Sequence, residues 1–190
     1  MKERKTMPFD KNFVPALRFA VMSDIHIDDE DCIEEQRFAK ALDDLKNLCS
    51  SDERYSGFDA LVIVGDFASR GSEIQMRKVK KILDAGLPAD VRLIMTMASH
   101  EYMTDGEENA LRRFDEIFGL TPDTHAVING FDFIAVTTTG GCHFDDKKRE
   151  FISAELEKAA ERDSKKPIFF FQHPHITDTV YGSINWGEDE

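Results

Sequence analysis

Apolar residues along this chain fall into two rhythms. Short continuous runs occur at Leu17–Ser23, Ala60–Val64, Val91–Ala98 and Ile168–Phe171. A run of that length with no alternation suits a strand buried on both faces. Between the runs, apolar positions recur at steps of three and four, which is the helical period. One such stretch puts Phe38, Ala41, Leu42, Leu45 and Leu48 on a common face. A second spans Glu73 to Ala85 through Ile74, Val79, Ile82 and Leu83, with Gly86 as its stop. A third spans Glu107–Phe118, with Leu111, Phe114, Ile117 and Phe118 inward and Gly119 as its stop. A fourth spans Lys148–Asp163, with Ile152, Leu156 and Ala159 on its inner side. Asn129-Gly130 separates Ala126–Ile128 from Phe131–Val136, and this dipeptide between apolar runs predicts a tight hairpin. Strand–helix alternation through the first 120 residues predicts an α/β fold with parallel strands, to which the hairpin adds antiparallel pairing. Residues 1–16 read as an irregular leader, and Thr177–Glu190 carries no pattern of either kind.

Composition narrows the class. At 190 residues the chain is long enough for one domain with a substantial core. A mean hydropathy of -0.41 and an apolar fraction of 41% are those of a water-soluble globular protein. The 15 phenylalanines and 7 methionines fall on inward positions and read as core packing. The net charge of -13 disfavours nucleic acid and anionic membranes as partners. It also repels phosphate, so a phosphate site here needs local positive charge, which a divalent metal would supply. Cys32, Cys49 and Cys142 are few and odd in number, without the spacing of a disulfide framework or a zinc knuckle. No apolar segment follows the charged start, and no run approaches the roughly 20 residues of a membrane span. The cytoplasm is the expected location.

Candidate chemistry lies where the apolar runs stop. The first ends in Asp24-Ile25-His26, the second in Gly65-Asp66, the third in Ser99-His100-Glu101 and the last in Gln172-His173. In an open α/β sheet the ligand site lies beyond the carboxyl ends of the strands. Carboxylates and imidazoles gathered there are costly unless a cation binds among them. Asp28, Asp29, Glu30 and Asp31 read instead as the acidic start of a helix. Of the other histidines, His175 would point away from His173 on an extended chain. His125 and His143 read as loop or surface residues, and Arg70 as solvent-facing.

With these residues in place, the chain resembles the calcineurin-like metallophosphoesterase family, over roughly residues 17 to 187. The family's Asp-x-His motif matches Asp24-Ile25-His26. Its Gly-Asp motif matches Gly65-Asp66, with Gly71 at a frequent later glycine. Its Gly-Asn-His-Asp/Glu motif corresponds to Ala98-Ser99-His100-Glu101, where the His and the acid match. Its strand-end His matches His173. Its final Gly-His-x-His has no counterpart, because no histidine follows His175.

The resemblance implies a four-layer α/β/β/α sandwich with mixed sheets, the second sheet incomplete, in a domain over 17–190 that lacks its C-terminal part. It implies hydrolysis of phosphate monoesters or diesters at a two-metal site holding Mn, Fe or Zn. Asp24, His26 and Asp66 would hold the first ion. Asp66 would bridge to a second held by His173, with Ser99 a doubtful ligand. The ions would sit about 3.5–4 Å apart. His100 would serve the leaving group, with Glu101 orienting it or lying solvated in a loop. On this count the second ion has too few ligands, which predicts one tightly bound metal and low or no activity. Two other readings stand beside this one. The chain is then either a non-catalytic binding module of the same fold, or a one-metal hydrolase of another family that uses only Asp24, His26 and Asp66. The expected partners are a small phosphorylated substrate and either the missing C-terminal segment or a partner chain that replaces it.

Overall fold

A strand can be apolar on both faces only if something covers each face, and two different layers do so here. The computed structural model describes residues 13–138, 140, 143–163, 165–176 and 179. The expected leader up to residue 12, and the chain beyond Thr179, lie outside the described residues. Strands β1 (Phe19–Met22), β2 (Ala60–Val64) and β3 (Arg92–Thr96) form a parallel sheet in the order β1-β2-β3. Every residue of the central strand β2 is buried. Leu61 and Ile63, with Met95 of β3, face helices α1 (Ile33–Ser50), α2 (Glu73–Gly86) and α3 (Glu107–Phe118). There they join Phe38, Leu42, Met76, Val79, Leu83, Phe114 and Phe118 in one core. Ala60, Val62 and Val64, with Ile94, face a second sheet and pack against Phe133 and Ala135.

That second sheet has the order β4-β5-β6, from β4 (Thr124–Ile128), β5 (Phe131–Ala135) and β6 (Ile168–Phe171). β4 and β5 pair antiparallel through Asn129 and Gly130, both with positive φ (50° and 76°). Two such residues in sequence are what a two-residue turn matching the strand twist requires. β6 returns parallel to β5 after α4 (Asp146–Arg162), which packs on β5 from outside. The layers are therefore helix, sheet, sheet, helix. Phe19 joins the two sheets, meeting Phe133, Phe169 and Phe171 edge-on with centroids 4.8–6.0 Å apart. No helix among the described residues is long and apolar enough to cross a membrane.

Helix faces depart from expectation at three positions. Leu48 is 71% exposed, and Cys49 takes the inner place. At about 100° per residue Cys49 lies within about 20° of Phe38, whereas Leu48 is turned about 80° away. Ile74 is 56% exposed. It stands about 140° from Val79, so Met76 fills the inner stripe instead. Leu156 is exposed, with Glu155 nearer the sheet. The start of α2 is held by a capping box. Ser72 Oγ accepts from Gln75 N–H, and the buried Gln75 carbonyl accepts from the N–H groups of Ser72 and Arg70.

His125 is not a surface loop residue. It sits in β4 beneath α4, with its Nε2 2.6 Å from Asp132 Oδ1 and its Nδ1 2.6 Å from Glu155 Oε2. His125 thus bridges Asp132 of β5 and Glu155 of α4, tying the helix to the sheet. Lys158 and Arg162 complete the cluster, at 2.6 Å from Glu155 and 3.6 Å from Asp132. Removing the ring leaves buried Asp132 underpaired. His125→Ala should cost about 3 kcal/mol, by the usual cost of breaking a buried pair. That corresponds to roughly 10 °C in Tm for a chain of this size. Thermal unfolding checks it, and a shift below about 2 °C would show that Lys158 and Arg162 suffice.

Candidate metal centre

Parallel registry decides where the polar tips emerge. Met22 lies beside Ile63, and Ile63 beside Met95, so the three strands end at one edge of the sheet. The loops after β1 and β2 then run side by side. The Asp24 N–H donates to Gly65 O (3.4 Å), His26 N–H to Asp66 O (3.0 Å) and Ile27 N–H to Phe67 O (3.0 Å). Asp24, His26 and Asp66 all adopt left-handed backbone, with φ of 55°, 53° and 51°. Of the described non-glycine residues, only Asn129 in the hairpin turn shares that conformation. Left-handed non-glycine residues cost of order 1–3 kcal/mol each and persist where surrounding bonds over-determine them. Here they aim three candidate ligands into one space. Gly65 (φ 69°) must be glycine for a second reason. A Cβ there would lie 2.6 Å from Ala98 Cβ and 3.0 Å from the His173 ring.

The structure brings Asp24, His26, Asp66, His100 and His173 together, in a grouping different from the expected one. One trio of donor atoms comes from His26, Asp66 and His100, the other from Asp24, Asp66 and His173. Within each trio the atoms lie within 4.8 Å of one another. Asp66 belongs to both. Of the expected set, Asp24 and His26 fall in different trios, with His26 Nε2 3.9 Å from Asp24 Oδ1, and His100 joins one of them. The reason lies in how the rings are held. His100 Nδ1 is 2.8 Å from Ser69 O, and His173 Nδ1 is 2.8 Å from Val64 O. A carbonyl can only accept, so each Nδ1 carries a hydrogen and each Nε2 points inward. The inward Nε2 atoms lie 3.9 Å and 3.3 Å from Asp66 Oδ2. The His26 ring meets the His100 ring edge-on at 4.6 Å.

The other predicted residues fall outside these trios. Ser99 heads a short 3₁₀ turn (Ser99–Tyr102) and is half-buried. Among the described residues no hydrogen bond ties its hydroxyl to either trio. His175 is half-buried, while His143 and Arg70 are exposed. Glu101 is neither a solvated acid nor a partner of the His100 ring. It is fully buried, and its carboxylate accepts from the backbone N–H groups of Asp66 (2.9 Å), Ala68 (3.0 Å) and Ala98 (2.9 Å). Its place directly after His100 marks it as part of the motif. Nothing in the sequence indicates which peptide groups it meets.

Charge is tightly coupled across the two trios. Burial pushes the Asp66 carboxyl up, but the His173 hydrogen bond and charge, with the His100 N–H, hold it below the usual range. Asp66 in turn raises His173 to about 9, against the opposing effect of burial. Burial pushes Glu101 up to about 7, against its three N–H donors, and the negative charge of Asp66 adds to the rise. A proton on His173 thus balances charge that a divalent ion would otherwise balance. Carboxylate oxygens and imidazole nitrogens are the donors that Mn, Fe and Zn accept. Asp66 has two oxygens to share between the trios, and the second-nitrogen bonds are those of metal-ligating histidines. The residues therefore fit the group.

Comparison with known proteins agrees with this donor chemistry. The family model of the calcineurin-like phosphoesterases matches residues 17–190. No curated protein matches the chain significantly.

Metal binding here should be coupled to proton release. His173 is raised, so its ion pair with Asp66 stabilises the metal-free fold fully below about pH 6.5 and is lost as pH rises through about 9. A metal must displace that proton. Apparent Mn²⁺ affinity should therefore rise about tenfold per pH unit up to about pH 9. Calorimetry at pH 7 in buffers of different ionisation enthalpy should show about one proton released on binding. An affinity flat between pH 6 and 8 would remove His173 from the ligand set.

Proposed function

The chain belongs to the calcineurin-like phosphoesterase family, a family of hydrolases, and from that premise we propose that it cleaves phosphate esters at a centre for two divalent ions. The observation that carries the proposal is the one carboxylate, Asp66, shared by two three-donor groups. Asp24, Asp66 and His173 would hold one ion, and Asp66 with His26 the other, with manganese, iron or zinc as candidates. When bound, such ions supply positive charge against the phosphate oxygens and a water acidic enough to act near neutral pH. In a chain of net charge -13, that local charge is what admits a small phosphorylated substrate.

The protein's own groups do the rest. The loop bonds from Asp24, His26 and Ile27 keep the ligands in place before substrate arrives, so no reorganisation is needed during the reaction. His173 gives up its proton when the site fills. His100, oriented by its Nδ1–H···O bond to Ser69, presents Nε2 beside Asp66. We assign it the proton passed to the leaving oxygen. A second reading makes His100 the third ligand beside His26, supported by the closeness of their donor atoms. Ser99, in the place of the family's Asn, supports a third reading, in which metal binds without turnover.

Hydrolysis of p-nitrophenyl phosphate or its bis-ester should appear with added Mn²⁺ and vanish with chelator. Asp66→Asn should reduce turnover to the buffer rate. As a general acid, His100 replaced by Ala should lower kcat about 10²–10⁴-fold on alkyl phosphates, whose leaving groups need the proton, and far less on p-nitrophenyl phosphate. Equal losses on both, with one Mn²⁺ fewer bound, would make His100 a ligand. Tight metal binding with no hydrolysis of any ester would establish the binding module.

A further inference from the structure

We propose that Glu101 is a positioning residue of this centre, a buried clamp on the peptide groups that aim Asp66, and that it neither holds an ion nor touches substrate. The inference rests on the metal-centre reading only for what the clamp serves; the clamp itself is independent of it. Three observations converge. The two carboxylate oxygens of Glu101 take N–H groups from two separate segments, the Asp66–Ala68 loop after β2 and Ala98 after β3. One of those N–H groups belongs to Asp66 itself, whose left-handed backbone (φ 51°) needs outside bonds to persist. And the chain at Gly71 passes so close to the Glu101 main chain that a Cβ there would lie 1.9 Å from the Glu101 carbonyl oxygen, so the turn carrying Glu101 is packed against the loop after β2.

The geometry of the bonds sets the function. Oε2 gathers the N–H groups of Asp66 and Ala98, fixing the end of β3 against the corner where Asp66 turns. The His100 N–H then reaches Asp66 Oδ1 at 3.3 Å, so both ends of the Asp66 residue are tied to the 3₁₀ turn that carries Glu101. None of these bonds involves the His100 ring, which Ser69 orients separately. Loss of the clamp therefore acts on the shared carboxylate and on both donor trios at once.

An isosteric amide separates this role from general support. In Glu101→Gln the amide oxygen can keep the Asp66 and Ala98 N–H groups, but the amide NH₂ then faces the Ala68 N–H, donor against donor. Mn²⁺ affinity of the folded variant should fall about 10–100-fold, as when a partner of a ligand is lost. Val79→Ala, a core change in α2 away from the centre, serves as the control of reduced stability and should bind Mn²⁺ as the parent does. In the metal-free parent, the amides of Asp66, Ala68 and Ala98 should exchange as slowly as those of β2, and this measurement decides the matter should Glu101→Gln not fold. Glu101→Gln with parental Mn²⁺ affinity, or rapid exchange at those three amides in the parent, overturns the proposal. A parent that binds no Mn²⁺ at all refutes the metal-centre reading instead, and leaves exchange to judge the clamp.

Discussion

β2 is covered on one side by three helices and on the other by a second sheet, so the chain leaving it carries its first charge while still enclosed. That charge is Asp66, only 5% exposed. A carboxylate so placed needs partners, and much of the polar edge is arranged around supplying them. His173 comes from the second sheet, His100 and its N–H from the turn after β3, and the loop after β1 lies backbone to backbone against its peptide. Removal of the enclosing layers would leave Asp66 an ordinary surface acid with no reason to collect imidazoles.

The strained backbone at this edge follows from the same enclosure. Three parallel strands ending in register leave little room for their continuations. Left-handed turns at Asp24, His26 and Asp66 let each chain fold back while its side chain stays over the strand ends. The loop ladder and the Glu101 carboxylate hold those turns against their intrinsic cost. The result is a set of candidate ligands held in place by the fold itself, in a protein whose overall charge draws cations and repels phosphate.

Charge is handled differently on the far side of the molecule. The His125–Asp132–Glu155 cluster is as crowded as the metal centre, yet its two carboxylates lie at opposite nitrogens of one ring. They flank the ring instead of converging on a common point, and neighbouring Lys158 and Arg162 pair with them. At the metal centre, by contrast, the outer nitrogens of His100 and His173 are taken by neutral carbonyls, so their inner nitrogens converge on Asp66. The difference lies in the inner nitrogen: His125 has a carboxylate at each nitrogen, whereas His100 and His173 each keep one nitrogen turned toward the shared Asp66.

The sequence by itself determined the elements and the nature of their tips. Continuous apolar runs, helical spacing and Asn129-Gly130 are local signals, and local signals specify strands, helices and a tight turn. They also placed acids and histidines at strand ends, where an α/β sheet gathers them. Only the tertiary structure decided which donor atoms lie close together. His100 enters a trio because Ser69, 31 residues away in the chain, turns its ring. It also decided that Glu101 is sealed beneath the centre and that His125 sits between two acids. Each of these depends on a neighbour brought by the fold from far along the chain. Periodicity reports only which side of an element is apolar, and carries no information about what will stand opposite it.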